Sequence, residues 1–374
     1  MEEDFVKATD LISLLGGLSL FLYGMQMMSN GLEAAAGNKM KRILERLTAN
    51  RILGVLVGAG ITAVIQSSSA TTVMVVGFVN SGMMTLQQAV WIIMGANIGT
   101  TITGQLIALD IGAIAPLFAF IGVAMIVFLK KEKLHHFGKI IAGLGILFIG
   151  MDMMSAAMMP LRESEAFISL MTQFSNPVLG ILAGAIFTAI IQSSSASVGI
   201  LQALASSGVI GLPQAVYVLF GQNIGTCITA VLAAIGTSRN AKRTTIIHLS
   251  FNIIGTIVFT IICMVTPFVS LMEGLTPNVS AQIANTHTIF NITTTLLLLP
   301  FGTQLAKMAT KILPDRAEEK EDTMHLEYIQ PMIPIETRGE TKIGISAIAV
   351  NAIRNDLTRM TKMAKENVAL SFDA

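Results

Sequence analysis

Charged residues, cysteine and tryptophan are all scarce in this sequence. Only 13% of the 374 residues are Asp, Glu, Lys or Arg, and the chain has two cysteines and one tryptophan. The net charge of +1 provides no field that would attract nucleic acid or another polyanion. Cys227 and Cys263 lie in apolar segments and lack metal-type spacing. We therefore exclude a disulfide framework and a cysteine metal centre, and we interpret both thiols as packing residues.

Apolar residues, by contrast, are abundant. They make up 53% of the chain, and the mean hydropathy is +0.70. Soluble domains are much more polar, so we expect an all-α polytopic membrane protein in a lipid bilayer. The first residues lack the basic start of a signal peptide, so the first apolar segment is expected to remain as a span. The predicted apolar segments are approximately residues 11–32, 52–80, 86–109, 111–129, 140–160, 177–208, 212–236, 244–268 and 282–305.

The chain also contains an internal repeat. It matches itself without gaps when it is shifted by 126 residues. Similarity between unrelated apolar helices would not preserve polar blocks, so we predict two copies of one structural unit. In the matching blocks, Gly24–Ser29 returns as Gly150–Ser155, Gln66–Ala70 as Gln192–Ala196, and Asn97–Thr100 as Asn223–Thr226.

Basic residues in the loops predict opposite orientations for the two copies, because Lys and Arg in short loops favour the cytoplasmic side. The loop after the first span carries five of them, at Lys39, Lys41, Arg42, Arg46 and Arg51. Its counterpart, residues 162–176, carries one arginine and two glutamates, whereas residues 130–139 and 239–243 are again basic. We therefore expect inverted-topology repeats, with the N-terminus outside and the C-terminus in the cytoplasm.

Residues 52–80 and 177–208 are expected to form re-entrant helical hairpins. For the loop charges to agree, residues 52–80 must enter and leave the membrane from the cytoplasmic face. The first arm, Ile52–Gln66, corresponds to roughly 22 Å of helix, which cannot cross a hydrocarbon layer of about 30 Å. Residues 177–208 would enter from the outside in the same way. The two hairpin tips are then expected to meet near the middle of the bilayer.

Each predicted tip carries a glutamine followed by three serines. One such block could serve only to pack helices closely, since small residues allow close approach. Two blocks place eight polar side chains where polar groups are costly, and we interpret them as a binding site. Helix ends there would present N–H groups to an anion, while oxygen atoms would hold sodium. The predicted substrate-binding residues are Gln66, Ser67, Ser68, Ser69, Gln192, Ser193, Ser194 and Ser195.

A second motif, Asn-Ile-Gly-Thr, lies midway along the next span of each repeat. We expect its glycine to break the membrane helix and its Asn and Thr to supply ligands. The alternative is that these side chains only satisfy the backbone of a kinked helix. Cys227 replaces Thr101 in the second repeat and is a poor sodium ligand, which favours the first repeat. The residues of this motif are Asn97, Thr100, Thr101, Asn223 and Thr226. The sodium candidates from both motifs are Gln66, Ser69, Thr100, Thr101, Gln192 and Ser195.

Two Gln-Ser-Ser-Ser blocks, each followed by Asn-Ile-Gly-Thr, resemble the type II sodium-phosphate cotransporter family, that is, the solute carrier 34 group and its bacterial relatives. The resemblance covers about residues 10–310. It implies sodium-coupled uptake of inorganic phosphate by alternating access, with sodium as the coupling ion, no other cofactor and a homodimeric assembly. The choice of phosphate rests on this resemblance, because the residues alone indicate only a central ion site.

Phosphate symport has three alternatives. A sodium-coupled carrier of another small oxyanion would use the same site chemistry. A membrane phosphate sensor acting through the cytoplasmic tail would bind phosphate without moving it. An intramembrane serine hydrolase would need a base beside its serine, and neither motif nor its flanks contains His or Lys. We therefore expect a secondary active transporter rather than an enzyme.

The composition changes sharply after Pro314, where a run of charges is typical of a solvated linker. The last segment has an amphipathic pattern and resembles the opening helix of the PhoU-like cytoplasmic domain of bacterial members. Such a domain needs several helices, so we expect that the chain is truncated there or that this helix pairs with a partner. The predicted divisions are 1–129 (first transmembrane repeat), 130–313 (second repeat plus an extra span), 314–340 (cytoplasmic linker) and 341–374 (amphipathic helix).

Other polar residues inside apolar segments have two interpretations. Asp152 replaces Gln26 in an otherwise repeated block. An acid inside a span is functional by default, but it would be ordinary near the outer interface. The pattern His-x-x-Phe-Asn occurs twice and places its His and Asn on one helix face, and we favour interhelical hydrogen bonding for both pairs. The pairs are His248 with Asn252 and His287 with Asn291.

Overall fold

The computed structural model describes residues 8–36, 50–109, 111–315, 354, 357–362 and 365. The described residues contain no strand, and those up to residue 315 form sixteen α-helices and three short 3-10 helices, which confirms the predicted all-α class. The α-helices are α1 (Ala8–Ala36), α2 (Arg51–Ile65), α3 (Ser68–Asn80), α4 (Leu86–Gly99), α5 (Thr101–Ile107), α6 (Ala115–Phe128), α7 (Glu132–Met158), α8 (Glu165–Gln173), α9 (Pro177–Ile191), α10 (Ser194–Ser206), α11 (Leu212–Gly225), α12 (Ile228–Ala233), α13 (Arg239–Val265), α14 (Phe268–Leu275), α15 (Val279–Leu298) and α16 (Gly302–Ile312).

Six helical segments among the described residues are long and apolar enough to cross a membrane. They are Ala8–Ala35, Leu86–Ile107, Glu132–Leu161, Leu212–Ala233, Arg239–Val265 and Val279–Ile312. A further pair, Phe167–Gln173 with Pro177–Ile191, passes the same test but is bent by 102°. The helices α2, α3 and α6 are shorter and apolar. The chain is therefore a multi-pass membrane protein, as its composition predicts.

Each segment predicted to be re-entrant consists of two helices joined at a Gln-Ser pair. In the first, the hydroxyl of Thr62 donates to that of Thr71 at 3.0 Å. Nine residues of continuous helix would separate these positions by about 13.5 Å, so the chain must reverse between them. In the second, the hydroxyl of Thr188 donates to that of Ser197 at 2.8 Å, which shows the same reversal at the equivalent positions.

The helix bounds repeat together with the sequence. The helices α9, α10 and α11 have the bounds of α2, α3 and α4 moved by 126 residues. Their N-caps also repeat: Asn50 Oδ1 accepts a hydrogen bond from the N–H of Ile52, and Asn176 Oδ1 accepts one from the N–H of Val178. An N-cap asparagine pairs an N–H that the first helical turn leaves free, so the same residue type fixes the start of both hairpins.

Glycines bring α2 against α4, and α9 against α11. A Cβ atom on Gly95 would lie 2.0 Å from the carbonyl oxygen of Val55, and one on Gly221 would lie 2.0 Å from that of Ile181. Any larger residue would force these helices apart. The backbones of the two helices in each pair are therefore in direct contact.

The predicted break at the Asn-Ile-Gly-Thr motif is mild. Thr100 keeps helical angles (φ −65°, ψ −23°), and its N–H still bonds the carbonyl of Ala96 at 3.0 Å. A Cβ on Gly99 would lie 2.4 Å from the carbonyl oxygen of Ala59. The glycine is thus needed for close packing on α2 and not for a turn, which corrects the reason given for it from the sequence.

The first helices of the two repeats, α1 and α7, pack against each other through glycines. Gly17 lies against Gly150, and Gly24 lies against Gly143. The residue numbers rise along one helix as they fall along the other, so the pair is antiparallel. A shift of 126 residues relates Gly17 to Gly143 and Gly24 to Gly150, so the contact is reciprocal between equivalent positions.

The chain divides into two compact units, residues 1–313 and 314–374. The sixteen α-helices all lie in the first unit, and residues 357–362 of the second are also helical. Four of the five basic residues of the first loop, all but Arg51, fall outside the described residues, as do most of the predicted linker and terminal helix. The expectations based on them stay predictions.

Candidate functional site

Both hairpin tips contain a glutamine in the left-handed conformation. Gln66 has φ 58° and Gln192 has φ 59°, and among the described residues they are the non-glycine residues with positive φ. For an L-residue this conformation costs roughly 1–2 kcal/mol. The N–H groups of Gln66 and Gln192 bond the carbonyls of Thr62 and Thr188, each at 2.7 Å. Both helices therefore end abruptly, at the price of local backbone strain.

The serine after each glutamine begins the next helix. Ser67 Oγ accepts a hydrogen bond from the N–H of Ala70, and Ser193 Oγ accepts one from the N–H of Ala196. Both serines belong to the predicted substrate-binding set, and in the structure their hydroxyls serve as N-caps. They leave Ser68 and Ser194 as the first residues of α3 and α10.

The two tips meet at these first residues. Ser68 Oγ lies 3.3 Å from Ser194 Oγ, and both side chains are buried. The N-terminal ends of α3 and α10 thus face one point, where unpaired N–H groups and the positive ends of two helix dipoles favour negative charge.

Threonines of α4 and α5 complete the contact. Thr100, at the junction of these helices, has its hydroxyl 3.3 Å from Ser194 Oγ. Thr103 donates to Gln66 Oε1 at 2.7 Å and lies 3.3 Å from Ser195 Oγ. Ser195 Oγ also donates to the carbonyl of Gln66 at 3.4 Å. We call this group the tip cluster: Gln66, Ser68, Thr100, Thr103, Ser194 and Ser195.

The remaining serine and glutamine of the predicted site lie outside the tip cluster. The side chain of Ser69 is half-buried, and that of Gln192 is exposed. Their repeat counterparts, Ser195 and Gln66, are both buried in the cluster. The two tips are therefore equivalent in backbone but unequal in the side chains they contribute.

Most of the second motif bonds its own helix or other helices instead. Asn97 Nδ2 donates to the carbonyl of Ile93, Thr101 Oγ1 to that of Ile98, and Thr226 Oγ1 to that of Gln222. These bonds match the alternative interpretation, in which the side chains satisfy the backbone. Thr100 is the member of this motif that contacts a serine block.

Asn223 and Cys227 bond the His-x-x-Phe-Asn helices. His287 Nε2 lies 3.1 Å from Asn223 Oδ1, and Asn252 Nδ2 donates to Cys227 Sγ at 3.2 Å. These are the interhelical bonds expected for the two His-Asn pairs. Cys227 and Cys263 are both free thiols, the first buried and the second half-buried.

Thr103 and Gln202 are buried polar residues that the sequence motifs do not include. Thr103 follows Thr100 by three residues, so the helical period places both on one face and could have revealed it. Gln202 lies in the apolar arm α10 and follows Ser195 by seven residues, or two helical turns. Its hydrogen-bond partners are distant in the sequence, which no local pattern can show.

The tip cluster consists of neutral groups only. It offers hydroxyl donors, converging helix N-termini and the carbonyl and amide oxygens of Gln66. Donors and helix ends can bind an anion, and the oxygens can bind a hard cation. The arrangement is therefore suited to holding an anion and a cation side by side.

Comparisons with known proteins point to one family. The sequence pattern of the Na+/Pi-cotransporter family matches residues 20–156 and 158–299. "Uncharacterized protein YqeW" of Bacillus subtilis is 33% identical over 309 residues, covering 81% of this chain and 98% of the relative. "Putative inorganic phosphate export protein YjbB" of Salmonella typhimurium is 28% identical over 309 residues, covering 82% of this chain. Because the match covers 56% of YjbB, this chain spans about half the length of that relative.

A mammalian protein shares a shorter region. The human "Sodium-dependent phosphate transport protein 2B" is 38% identical over 101 residues, covering 26% of this chain and 15% of the relative. No solved structure matches the chain.

Proposed function

This chain belongs to the Na+/Pi-cotransporter family, and on that premise we propose that it carries inorganic phosphate across a membrane together with sodium. The observation that carries the proposal is the meeting of Ser68 and Ser194. They are equivalent residues of two repeats, each at a helix N-terminus inside a membrane protein. The contact point of two helix N-termini suits an anion. It lies between two hairpins, which we propose move apart during transport.

Phosphate binding would replace weak contacts. The contacts that Ser68, Thr100 and Thr103 make with serines of the second tip are all 3.3 Å long. Hydroxyl pairs usually lie at about 2.7–2.8 Å, so these bonds are long and little is lost when they are exchanged. The freed hydroxyls and helix N–H groups would then donate to phosphate oxygens.

Sodium would balance the charge of phosphate, because the tip cluster contains no Lys or Arg. Of the predicted sodium ligands, Gln66, Thr100 and Ser195 lie in the cluster. The carbonyl of Gln66 adds another oxygen next to them. We propose this side of the cluster as the place where sodium lies against the bound anion.

We further propose that the two repeats have inverted topology and work by alternating access. The reciprocal antiparallel contact of α1 with its equivalent α7 supports this relation. Because the two repeats would have opposite orientations, movement of one repeat would open the tip cluster to one side of the membrane. The equivalent movement of the other repeat would open it to the opposite side. The homodimer implied by the resemblance, and the placement of the termini, remain predictions.

The direction of net transport follows from the gradients, because a symporter is reversible. Uptake is the expectation from the resemblance, whereas a relative carries a name that refers to export. In proteoliposomes with labelled phosphate, we expect an inward sodium gradient to drive accumulation and an outward gradient to empty loaded vesicles. The double variant Ser68→Ala, Ser194→Ala is the control and should strongly reduce both fluxes at subsaturating phosphate.

Three results would contradict this function in different ways. Phosphate movement that is independent of sodium would show that transport is not coupled to sodium. Saturable phosphate binding without flux in either direction would favour a sensor. Sodium-driven flux of another oxyanion, with phosphate inactive, would keep the mechanism and change the substrate.

A further inference from the structure

A cavity of about 570 Å³ lies where four helices end, apart from the tip cluster. Its lining includes Ile107, which is the last residue of α5, and Ser206, which is the last residue of α10. The first turn of α15 also lines it. Asp152 of α7 is the acidic residue in its lining, and the equivalent position in the first repeat is Gln26. The residues used below are Ile107, Asp152, Ser155, Ser206, Asn278 and Ser280.

Two helices lead from this cavity to the tip cluster. Along α5 the chain runs from Ile107 in the cavity back to Thr103 in the cluster. Along α10 it runs from Ser206 in the cavity, through Gln202, to Ser195 in the cluster. The α10 residues are spaced by four and seven, so they share one helix face, and Gln202 lies about 10 Å from Ser195 along the axis.

Gln202 stands between the cavity and the cluster. Its side chain is fully buried, and Nε2 lies 3.0 Å from the Gly104 carbonyl, the Ser280 carbonyl and the Ser280 hydroxyl. One amide group thereby joins α10, α5 and α15. Its Oε1 is buried without a hydrogen-bond partner, although buried polar atoms are normally paired. That oxygen is a ready acceptor for a cation that enters from the cavity.

We propose that this cavity is the cation entrance to the tip cluster, with Asp152 concentrating sodium in it and Gln202 closing its inner end. The proposal deepens the sodium-coupled function and rests on it. A carboxylate in a cleft with low-dielectric walls raises the local concentration of cations. The amide of Gln202 must leave at least one of its partners before an ion can pass.

The charge of the cavity can be tested by thiol labelling, without phosphate. Ser206→Cys is made in a variant with Cys227→Ala and Cys263→Ala, and is treated with a cationic and an anionic methanethiosulfonate of similar size. We expect faster reaction with the cation, and a drop of about sevenfold in the cation-to-anion rate ratio with Asp152→Asn. For a reagent charge taken to lie roughly 7 Å from the carboxylate in water, the interaction is about 0.6 kcal/mol for each reagent, with opposite sign. Glu273→Gln, which removes an exposed charge outside the lining, should leave the ratio unchanged. An equal ratio with and without Asp152 would overturn the proposal.

The gate is tested with a second cysteine, Ser195→Cys, in the tip cluster. We expect it to react about tenfold more slowly than Ser206→Cys. Opening the gate would break roughly one net hydrogen bond of Gln202, and the free energy of that bond corresponds to about this factor in rate. Gln202→Ala should remove most of this difference without changing the rate at Ser206→Cys. Ser280→Ala, which deletes one partner of Gln202, is the second variant if Gln202→Ala does not fold.

The outcomes separate this proposal from the transport function. Gln202 is no gate if, with Gln202 present, Ser195→Cys reacts as fast as Ser206→Cys. The same conclusion follows if Ser195→Cys still reacts slowly in both Gln202→Ala and Ser280→Ala. If sodium drives phosphate flux but the labelling pattern fails, the entrance alone is wrong. If the labelling pattern holds but no flux occurs, the transport function fails while the charged, gated cavity stands.

Discussion

The hydroxyl oxygens of Ser68 and Ser194 lie 3.3 Å apart, and these residues are separated by the repeat shift of 126 positions. Equivalent positions touch each other only close to the axis that relates two copies of a structure. In the inverted-repeat arrangement that we propose, the hairpin tips would therefore lie on that axis. The symmetry stops at the next neighbour, because Thr100 reaches Ser194 whereas its counterpart Thr226 bonds the carbonyl of Gln222.

The two central serines should both matter for phosphate. Ser68→Ala and Ser194→Ala each remove a buried hydroxyl from the tip cluster, and we expect the half-saturating phosphate concentration to rise about fivefold to tenfold, corresponding to about 1 kcal/mol. The effect should be larger for Ser194→Ala, because Ser194 contacts both Ser68 and Thr100. Ser207→Ala is the matched control, since this buried hydroxyl, at the C-cap of α10, donates to the carbonyl of Leu204. Unchanged kinetics in both cluster variants would remove the serines from the site.

The two left-handed glutamines should respond differently to glycine. Glycine adopts this conformation without strain, so Gln192→Gly should leave the thermal stability of the purified protein unchanged or raise it by up to about 1 kcal/mol. Gln66→Gly relieves the same strain but loses the bond from Thr103 to Gln66 Oε1. We expect Gln66→Gly to weaken phosphate-dependent flux and Gln192→Gly to preserve it. Equal loss of flux in both variants would show that the exposed Gln192 side chain is also a ligand.

Sodium and phosphate should tighten each other's binding. With no cationic side chain in the tip cluster, anion charge is balanced by sodium and helix ends. A given fold-increase in phosphate affinity caused by sodium must appear as the same increase in sodium affinity caused by phosphate. Titration calorimetry of each ion with and without the other measures both factors. Phosphate binding of equal strength in sodium and in choline would refute this account.

Sulfate should compete poorly with phosphate. Monohydrogen phosphate has an O–H donor that sulfate lacks, and an amide oxygen such as Gln66 Oε1 can accept it. Sulfate would leave that acceptor unpaired, which costs about 1–3 kcal/mol and gives roughly tenfold or greater discrimination. Competition in the flux assay measures the ratio, with Gln66→Glu as the variant that should reduce phosphate binding too. Inhibition by sulfate at the same concentration as phosphate would exclude O–H recognition.

The ends of the two hairpins should face opposite sides of the membrane. Met83 follows the first hairpin and Gln173 precedes the second, and both side chains are exposed. Cysteines at these positions, in a background without Cys227 and Cys263, should react with an impermeant thiol reagent from opposite sides of sealed vesicles. Reaction of both from one side would contradict inverted topology.

Much of the architecture can be predicted from the sequence because polar blocks are costly inside apolar helices and therefore conspicuous. The repeat, both hairpins and the reversal beside Gln66 and Gln192 follow from that signal and from helix length. The direction of each side chain does not follow. After the left-handed turn, Ser67 caps a helix and Ser68 points into the tip cluster. Consecutive serines look alike in the sequence, so their spacing does not predict this difference.

The partners of Gln202 show a second limit. They come from residues 98 and 78 positions away, and only the folded arrangement of three helices brings them together. Asn97 shows a third, because an amide in a membrane helix can bond a ligand or its own backbone with the same spacing. A ligand role for such a residue has to be decided by its contacts.

The glycine contacts of each repeat restrict how the protein can move. With Gly95 and Gly58 seated against the backbone of the facing helix, α2 has no room to slide or roll on α4. In the alternating access that we propose, the first arm of each hairpin and its neighbouring span would therefore move as one rigid unit. If this unit rotates about its far end, a small rotation there gives a larger separation at the tip cluster, where Ser68 and Ser194 are joined by a long hydrogen bond of 3.3 Å.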